Sequence, residues 1–132
     1  MQLDFLWRLQ EQIENLDLKS PSYIGVLDID DSVSILATPG GISNLFYDGT
    51  KDQQYNIQFS AKSKNQETCL FDLSDIYDYL YSLQPITSNN GSFEFQGFTG
   101  ITLPTFVVQD EQGWFIYQMS ATANLTIYKG AI

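Results

Sequence analysis

Tyr55-Asn56-Ile57-Gln58-Phe59-Ser60-Ala61-Lys62, followed after a short break by Cys69, Leu70, Leu73, Ile76, Tyr77, Leu80 and Leu83, is the stretch whose reading decides the fold class. Its first half alternates apolar and polar residues with the period of two that a β-strand imposes. Tyr55, Ile57, Phe59 and Ala61 therefore share one face, and Asn56, Gln58, Ser60 and Lys62 share the other. One face meets a core; the other meets water or a polar partner. In the second half the apolar residues recur every three or four positions, which gathers them on one stripe of an amphipathic helix. Ser63 and Gln66 have capping-box spacing, Asn65 is a competing N-cap, and Pro85 stands where a helix cannot continue.

Working outward, Leu6, Leu9, Ile13 and Leu16, flanked by Phe5, form an apolar stripe opposite Arg8, Glu11, Gln12 and Glu14, and predict a helix over residues 4–17. Residues 23–29 and 33–37, separated by Asp30 and Asp31, read as two short strands in a hairpin. Thr38, Pro39, Gly40 and Gly41 break regular structure, the glycines supplying positive φ angles in a turn. Ser88, Asn89, Asn90 and Gly91 read as a turn or mobile loop before the strand at 93–95. Residues 103–109, interrupted by Pro104, read as an edge or irregular strand. The turn Asp110-Glu111-Gln112-Gly113 joins Val107 and Val108 to a long final strand in which Phe115, Tyr117, Met119, Ala121, Ala123, Leu125 and Ile127 alternate with polar residues. This order predicts an α+β fold: a mainly antiparallel sheet with an N-terminal helix and a central helix packed on one face. No repeat, linker or low-complexity run divides the chain, so residues 1–132 read as one domain.

The composition, 43% hydrophobic and 17% charged, is that of a globular chain. Sixteen acids against 6 bases give a formal net charge of −10. The bases, Arg8, Lys19, Lys51, Lys62, Lys64 and Lys129, are scattered, which disfavours a sequence-specific nucleic-acid binder, since such proteins cluster cations along phosphates. Acidity of this degree keeps a chain soluble and repels a passing polyanion. No apolar run approaches the roughly 20 residues that span a bilayer, and the start of the chain lacks the basic region and apolar core of a signal peptide, so no membrane partner is expected. The single cysteine, Cys69, lies on the helical stripe and reads as a buried structural thiol.

There is no histidine, which removes the commonest general base and the commonest metal ligand, and one cysteine cannot build a soft-metal site. Val26-Leu27-Asp28-Ile29-Asp30-Asp31-Ser32 resembles the strand-end aspartate motif of haloacid-dehalogenase-like phosphatases, but no βαβ series follows to host the remaining residues. Counted from Asp28 as a calcium loop, it has Val33 where glycine is needed and Pro39 where glutamate is needed. A turn with solvated aspartates is the preferred reading. Gly40 and Gly41 lack the Lys-Ser/Thr element of a phosphate loop. The expectation is a protein with no catalytic residues, no cofactor and no metal. Leu45-Phe46-Tyr47, ahead of Asp48-Gly49, is costly to leave in water and is either a short buried strand or a contact surface; Trp114 poses the same question. Phe46, Tyr47 and Trp114 are therefore the candidate interface residues.

Pro39-Gly40-Gly41, Tyr47-Asp48-Gly49, the run from Asp52 through Tyr55-Asn56-Ile57-Gln58-Phe59 to Ser63, Asn65-Gln66, the helix with Leu73, Ile76 and Leu80, and the Gln109-to-Gly113 turn with its long final strand together resemble the minor capsid proteins of siphophages and prophages of Gram-positive bacteria. The resemblance implies a tail terminator, or tail-to-head joining protein. Such a subunit is expected to self-associate into a ring, typically a hexamer, on the finished tail tube protein and to present a surface to the head connector protein. It implies a virion protein of the head–tail junction, made in the host bacterial cytoplasm. The alternatives are another head-to-tail connector (head completion) protein, or a small ligand- or carbohydrate-binding module in which Tyr79, Tyr81 and Trp114 line a groove.

Overall fold

The computed structural model describes residues 2–82 and 84–130. In chain order the elements are α1 (Phe5–Glu14), β1 (Ser22–Ile24), β2 (Ser32–Thr38), β3 (Ser43–Leu45), β4 (Lys51–Ser63), α2 (Gln66–Tyr81), β5 (Phe93–Thr99), β6 (Thr105–Gln109) and β7 (Phe115–Ile127). The architecture is α+β, with a seven-stranded, mainly antiparallel sheet in the order β1-β2-β4-β7-β5. Its spine is the pair β4 and β7, each 13 residues long, matched from Lys51 opposite Ile127 to Ser63 opposite Phe115. The remaining strands divide the two outer edges of this pair. β2 covers residues 56–62 of β4 and β3 covers 51–53; β5 covers residues 122–127 of β7 and β6 covers 115–118. β3 and β6 thus occupy diagonally opposite corners of the sheet.

The alternation along β4 and β7 sends Ile57, Phe59, Ala61, Tyr117, Met119, Ala121, Ala123 and Leu125 into one core, together with Val33 and Ile35 of β2. Both helices close that face. Phe5, Leu9 and Ile13 of α1 are fully buried, with the Phe5 ring edge-on to Tyr55 at 5.8 Å and to Phe93 at 5.3 Å. A slip of one residue in β4 would expose Ile57 and Phe59, each contributing about 1.5–3 kcal/mol by burial, so the register is strongly specified.

Local chemistry adjusts several element boundaries. α1 ends at Glu14, short of residue 17, because the backbone N–H groups of Leu16 and Asp17 donate to Ile13 and Glu14, and Asp17 turns the chain out at φ +60°. Leu6 and Leu16 are only half-buried. α2 is capped by Asn65, whose side chain accepts from the Glu67 N–H at 3.0 Å. Ser63 is no capping-box partner: its hydroxyl accepts from the Asn65 N–H and donates to Asp31. Leu70 is exposed, whereas Asp72 and Tyr79 are buried. Asp72 is retained inside because its Oδ1 accepts the Lys19 N–H at 2.8 Å, tying the segment after α1 to α2; burial nevertheless pushes its carboxyl above the ordinary value. Leu83, assigned by periodicity to the same stripe, lies outside the described residues.

The expected hairpin over residues 23–29 and 33–37 is corrected. β1 comprises only Ser22–Ile24 and runs parallel to β2, with Ser22 opposite Val33 and Ile24 opposite Ile35. Gly25, at φ +100°, ends the strand while its N–H still reaches the Ile35 carbonyl. A parallel pair cannot be joined by a tight turn, so the acidic segment 26–31 serves as the return loop.

The turn at 88–92 is fastened to the start of α1. Ser88 Oγ, the Asn89 N–H and Ser92 Oγ all donate to the Asp4 carboxylate, at 2.7, 2.8 and 2.9 Å. Burial opposes ionisation of Asp4, but these donors together outweigh it and hold the carboxyl below its ordinary value of 3.8. A depressed folded pKa contributes stability above the unfolded value and loses it as pH falls through the folded one. We expect Asp4→Asn to lower the urea midpoint by a constant amount between pH 5 and pH 7, with the deficit shrinking below about pH 4. At Gly41, φ is +92° and an added Cβ would stand 2.2 Å from the Gln54 carbonyl oxygen. Gly41→Ala should therefore destabilise by roughly 1–3 kcal/mol or more in the same assay.

Candidate functional site

The aspartates of the phosphatase-like motif lie on the exposed return loop after β1. Asp28 accepts from the Tyr23 hydroxyl at 3.3 Å and from the adjacent Ile29 N–H, and Asp31 is engaged by Ser63. The Asp28 contacts are local to the turn and the Asp31 contact ties the loop to the residue that ends β4; among the described residues no group of three or more His, Cys, Asp or Glu is placed to hold a metal ion. The aromatic groove of a carbohydrate module is not assembled. Tyr79 is buried under α2, Tyr81 packs on Tyr77 of the same helix at 4.9 Å, and Trp114 stands with Lys62, whose side chain alternates onto the opposite face of the sheet.

Among the described residues no helix covers that opposite face. Across β4 and β7 it pairs Asp52 with Thr126, Gln54 with Asn124, Asn56 with Thr122, Gln58 with Ser120 and Ser60 with Gln118. Thr122 Oγ1 donates to Asn56 Oδ1 and Thr126 Oγ1 to Asp52 Oδ1, both at 2.9 Å. Between Asp52 at one end and Lys62 at the other, the ladder is made of amides and hydroxyls without a formal charge. A cleft of about 470 Å³ opens at the Asp52 end, lined by Asn44, Gln54, Gln96 and Asn124 among others. Such a face offers hydrogen bonds in both senses and no fixed ion pair.

Exposed apolar residues cluster at the two diagonal corners, while others stand apart from them, notably Val26 and Ile29 on the return loop and Trp7, Phe71 and Tyr81 on the helices. At the first, the Phe46 N–H donates to the Thr50 carbonyl and the Gly49 N–H to the Phe46 carbonyl, closing the hairpin between β3 and β4, while Asp48 Oδ1 accepts from both the N–H and the hydroxyl of Thr50. This turn holds Leu45, Phe46 and Tyr47 out in solvent, with Ile42 beside them. Neither aromatic enters the core: Phe46 is 47% exposed and Tyr47 fully so. At the second corner every residue of β6 is exposed, including Phe106, Val107 and Val108, with Leu103 ahead of the strand. β6 pairs only with β7, leaving its other edge without a neighbouring strand among the described residues. Trp114 sits here, half-buried beneath Lys62 and Lys64, whose ammonium groups lie 4.9 and 5.2 Å from its ring. Phe46 and Tyr47 therefore stand at one end of the β4–β7 ladder and Trp114 at the other, about 40 Å apart along thirteen residue pairs.

A family model described as bacteriophage tail terminator protein matches residues 11–127. The chain belongs to the bacteriophage tail terminator family. A search of curated proteins returns no match. The matched span runs from the second half of α1 to the last residue of β7, so the whole sheet and both apolar corners of this terminator lie within it. The terminator family is one of structural phage proteins. Sequence reasoning flagged the Phe46-Tyr47 corner of this terminator but passed over β6. The available signal was the unbroken run Phe106-Val107-Val108, which a strand with one wet face would have interrupted with a polar residue.

Because Phe46 and Tyr47 make no core contact, Phe46→Ser and Tyr47→Ser should each leave the circular dichroism spectrum intact and change stability by no more than about 0.5 kcal/mol. Phe59→Ala, inside the core, should cost about 3–5 kcal/mol in the same denaturation experiment.

Proposed function

We propose that this chain is the subunit that ends growth of the phage tail and joins the tail to the head. The observation that carries the reading is the family match over residues 11–127. In this reading the subunit self-associates into a ring, typically a hexamer, seated on the tail tube protein with its other side toward the head connector protein. It resides at the head–tail junction of the virion after synthesis in the host cytoplasm. It works by shape and contact, without catalysis or a cofactor.

Two physical features support this. Clusters of exposed apolar residues at two separated corners suit a self-associating subunit, since patches of that kind are rarely left in water on a monomer. Phe46, Tyr47 and Trp114 are the proposed contact positions. The net charge of −10 opposes adhesion of nucleic acid, which suits a ring through which DNA slides. Deleting the gene in a producing phage should yield heads together with tails of uncontrolled length under the electron microscope. Tails of normal length left unattached would instead assign the chain to the head side of the junction.

A further inference from the structure

We infer that the contact between successive subunits is head-to-tail, with the β3–β4 hairpin of one copy (Ile42, Leu45, Phe46, Tyr47) seated on the exposed β6 edge of the next (Leu103, Phe106, Val107, Val108). This deepens the ring proposed for the chain and rests on it. Three observations select a second copy as the occupant of both corners.

The patches are different in kind. One is a protruding turn whose side chains reach into solvent; the other is a strand apolar on both faces, with one edge that no strand of the described residues pairs. Edge strands are ordinarily protected by inward-pointing charges, and β6 contains no charged residue, its protection amounting to Pro104 ahead of it and a break in register between Phe106 and Val108. A two-fold contact of hairpin with hairpin, or of β6 with β6, would cover one patch and leave the other wet. A contact of hairpin on β6 covers both, and it is heterologous where it runs on from copy to copy instead of closing reciprocally between two.

Their placement fits the same contact. The corners lie diagonally across the sheet, β3 on the outer edge of β4 at its Lys51 end and β6 on the outer edge of β7 at its Phe115 end. A subunit with donor and acceptor surfaces on opposite sides propagates, and a constant rotation between copies closes the series into a ring.

The charge distribution points the same way. Copies carrying −10 each repel one another, yet 4 of the 6 bases stand at these corners. Lys51 opens β4 opposite Leu45, and the Lys129 side chain lies against Gly49 of the hairpin. At the other corner Lys62 and Lys64 cover Trp114 beside Asp110 and Glu111. Docking hairpin on β6 brings Lys51 and Lys129 toward Asp110 and Glu111 of the next copy, and Asp48 toward its Lys62 and Lys64. Each corner supplies cations for the acids of the other.

The test uses Tyr47→Cys, Val107→Cys and the double variant, treated with a short flexible bismaleimide at a concentration where light scattering shows the wild-type multimer. The native thiol does not compete, since Cys69 is buried and burial pushes its pKa up to about 11. The double variant should give a ladder of covalent multimers ending at the ring size. A mixture of the two single variants should give covalent dimers and nothing larger, and neither single variant alone should cross-link. Loss of the multimer in the double variant, with an unchanged circular dichroism spectrum, also supports the contact. Covalent dimers from either single variant, or a multimer that persists without any cross-linking of the double variant, would overturn the contact while leaving the ring. A wild-type protein that stays monomeric at every concentration would remove the ring in solution and this contact with it.

Discussion

The thirteen-residue antiparallel match of β4 and β7 is the constraint on which the rest of this molecule depends. Two long strands paired without a break leave room on each outer edge for more than one neighbour. β2 and β3 share one edge and β5 and β6 share the other, so the short strands are forced to the corners. The same pairing fixes which side chains face the helices and which face out, because the side-chain period is two and any slip would exchange the sets. Core, open face and corners are three consequences of one ladder.

The connections are held by polar atoms where apolar packing runs out. Asp4 uses its carboxylate on three donors of the 88–92 turn, where it ties the start of α1 to the approach to β5. Asp72 does the corresponding work for the segment after α1, through the Lys19 N–H, but from a buried position that penalises its charge. The two carboxylates therefore respond oppositely to pH: ionisation of Asp4 favours the fold, and ionisation of Asp72 opposes it. Ser63 links the acidic return loop to the start of α2 in the same economical way, accepting from one segment and donating to the other.

Charge is spread unevenly over this surface. The outward ladder of β4 and β7 is neutral between Asp52 and Lys62, which leaves most other acids to helices, loops and turns, with Glu94 on β5. Four lysines stand at the apolar corners: Lys51 and Lys129 at the hairpin, Lys62 and Lys64 over Trp114. In the ring proposed for this terminator, cation-bearing corners would face the acids of the neighbouring copy while the acidic body repels nucleic acid.

Much of this was legible along the chain. The strands of β4 and β7 and the helices announce themselves through periods of two and of three to four, and the α+β class follows from their order. Gly40 and Gly41 are recognisable as turn residues, although the reason that Gly41 tolerates no side chain, the carbonyl of Gln54, belongs to a residue thirteen positions away. The parallel course of β1 was not legible, since local sequence encodes the extended conformation of a short strand and not the direction of its neighbour. Nor was the exposure of Phe46, Tyr47 and β6, because an apolar residue reads alike whether it enters a core or waits for a partner. By itself the sequence determined the conformations that depend on neighbouring residues: periodicity, capping and turn chemistry. Only the tertiary structure decided which apolar residues remain in solvent and at which corners, because burial depends on what the whole chain brings against a surface.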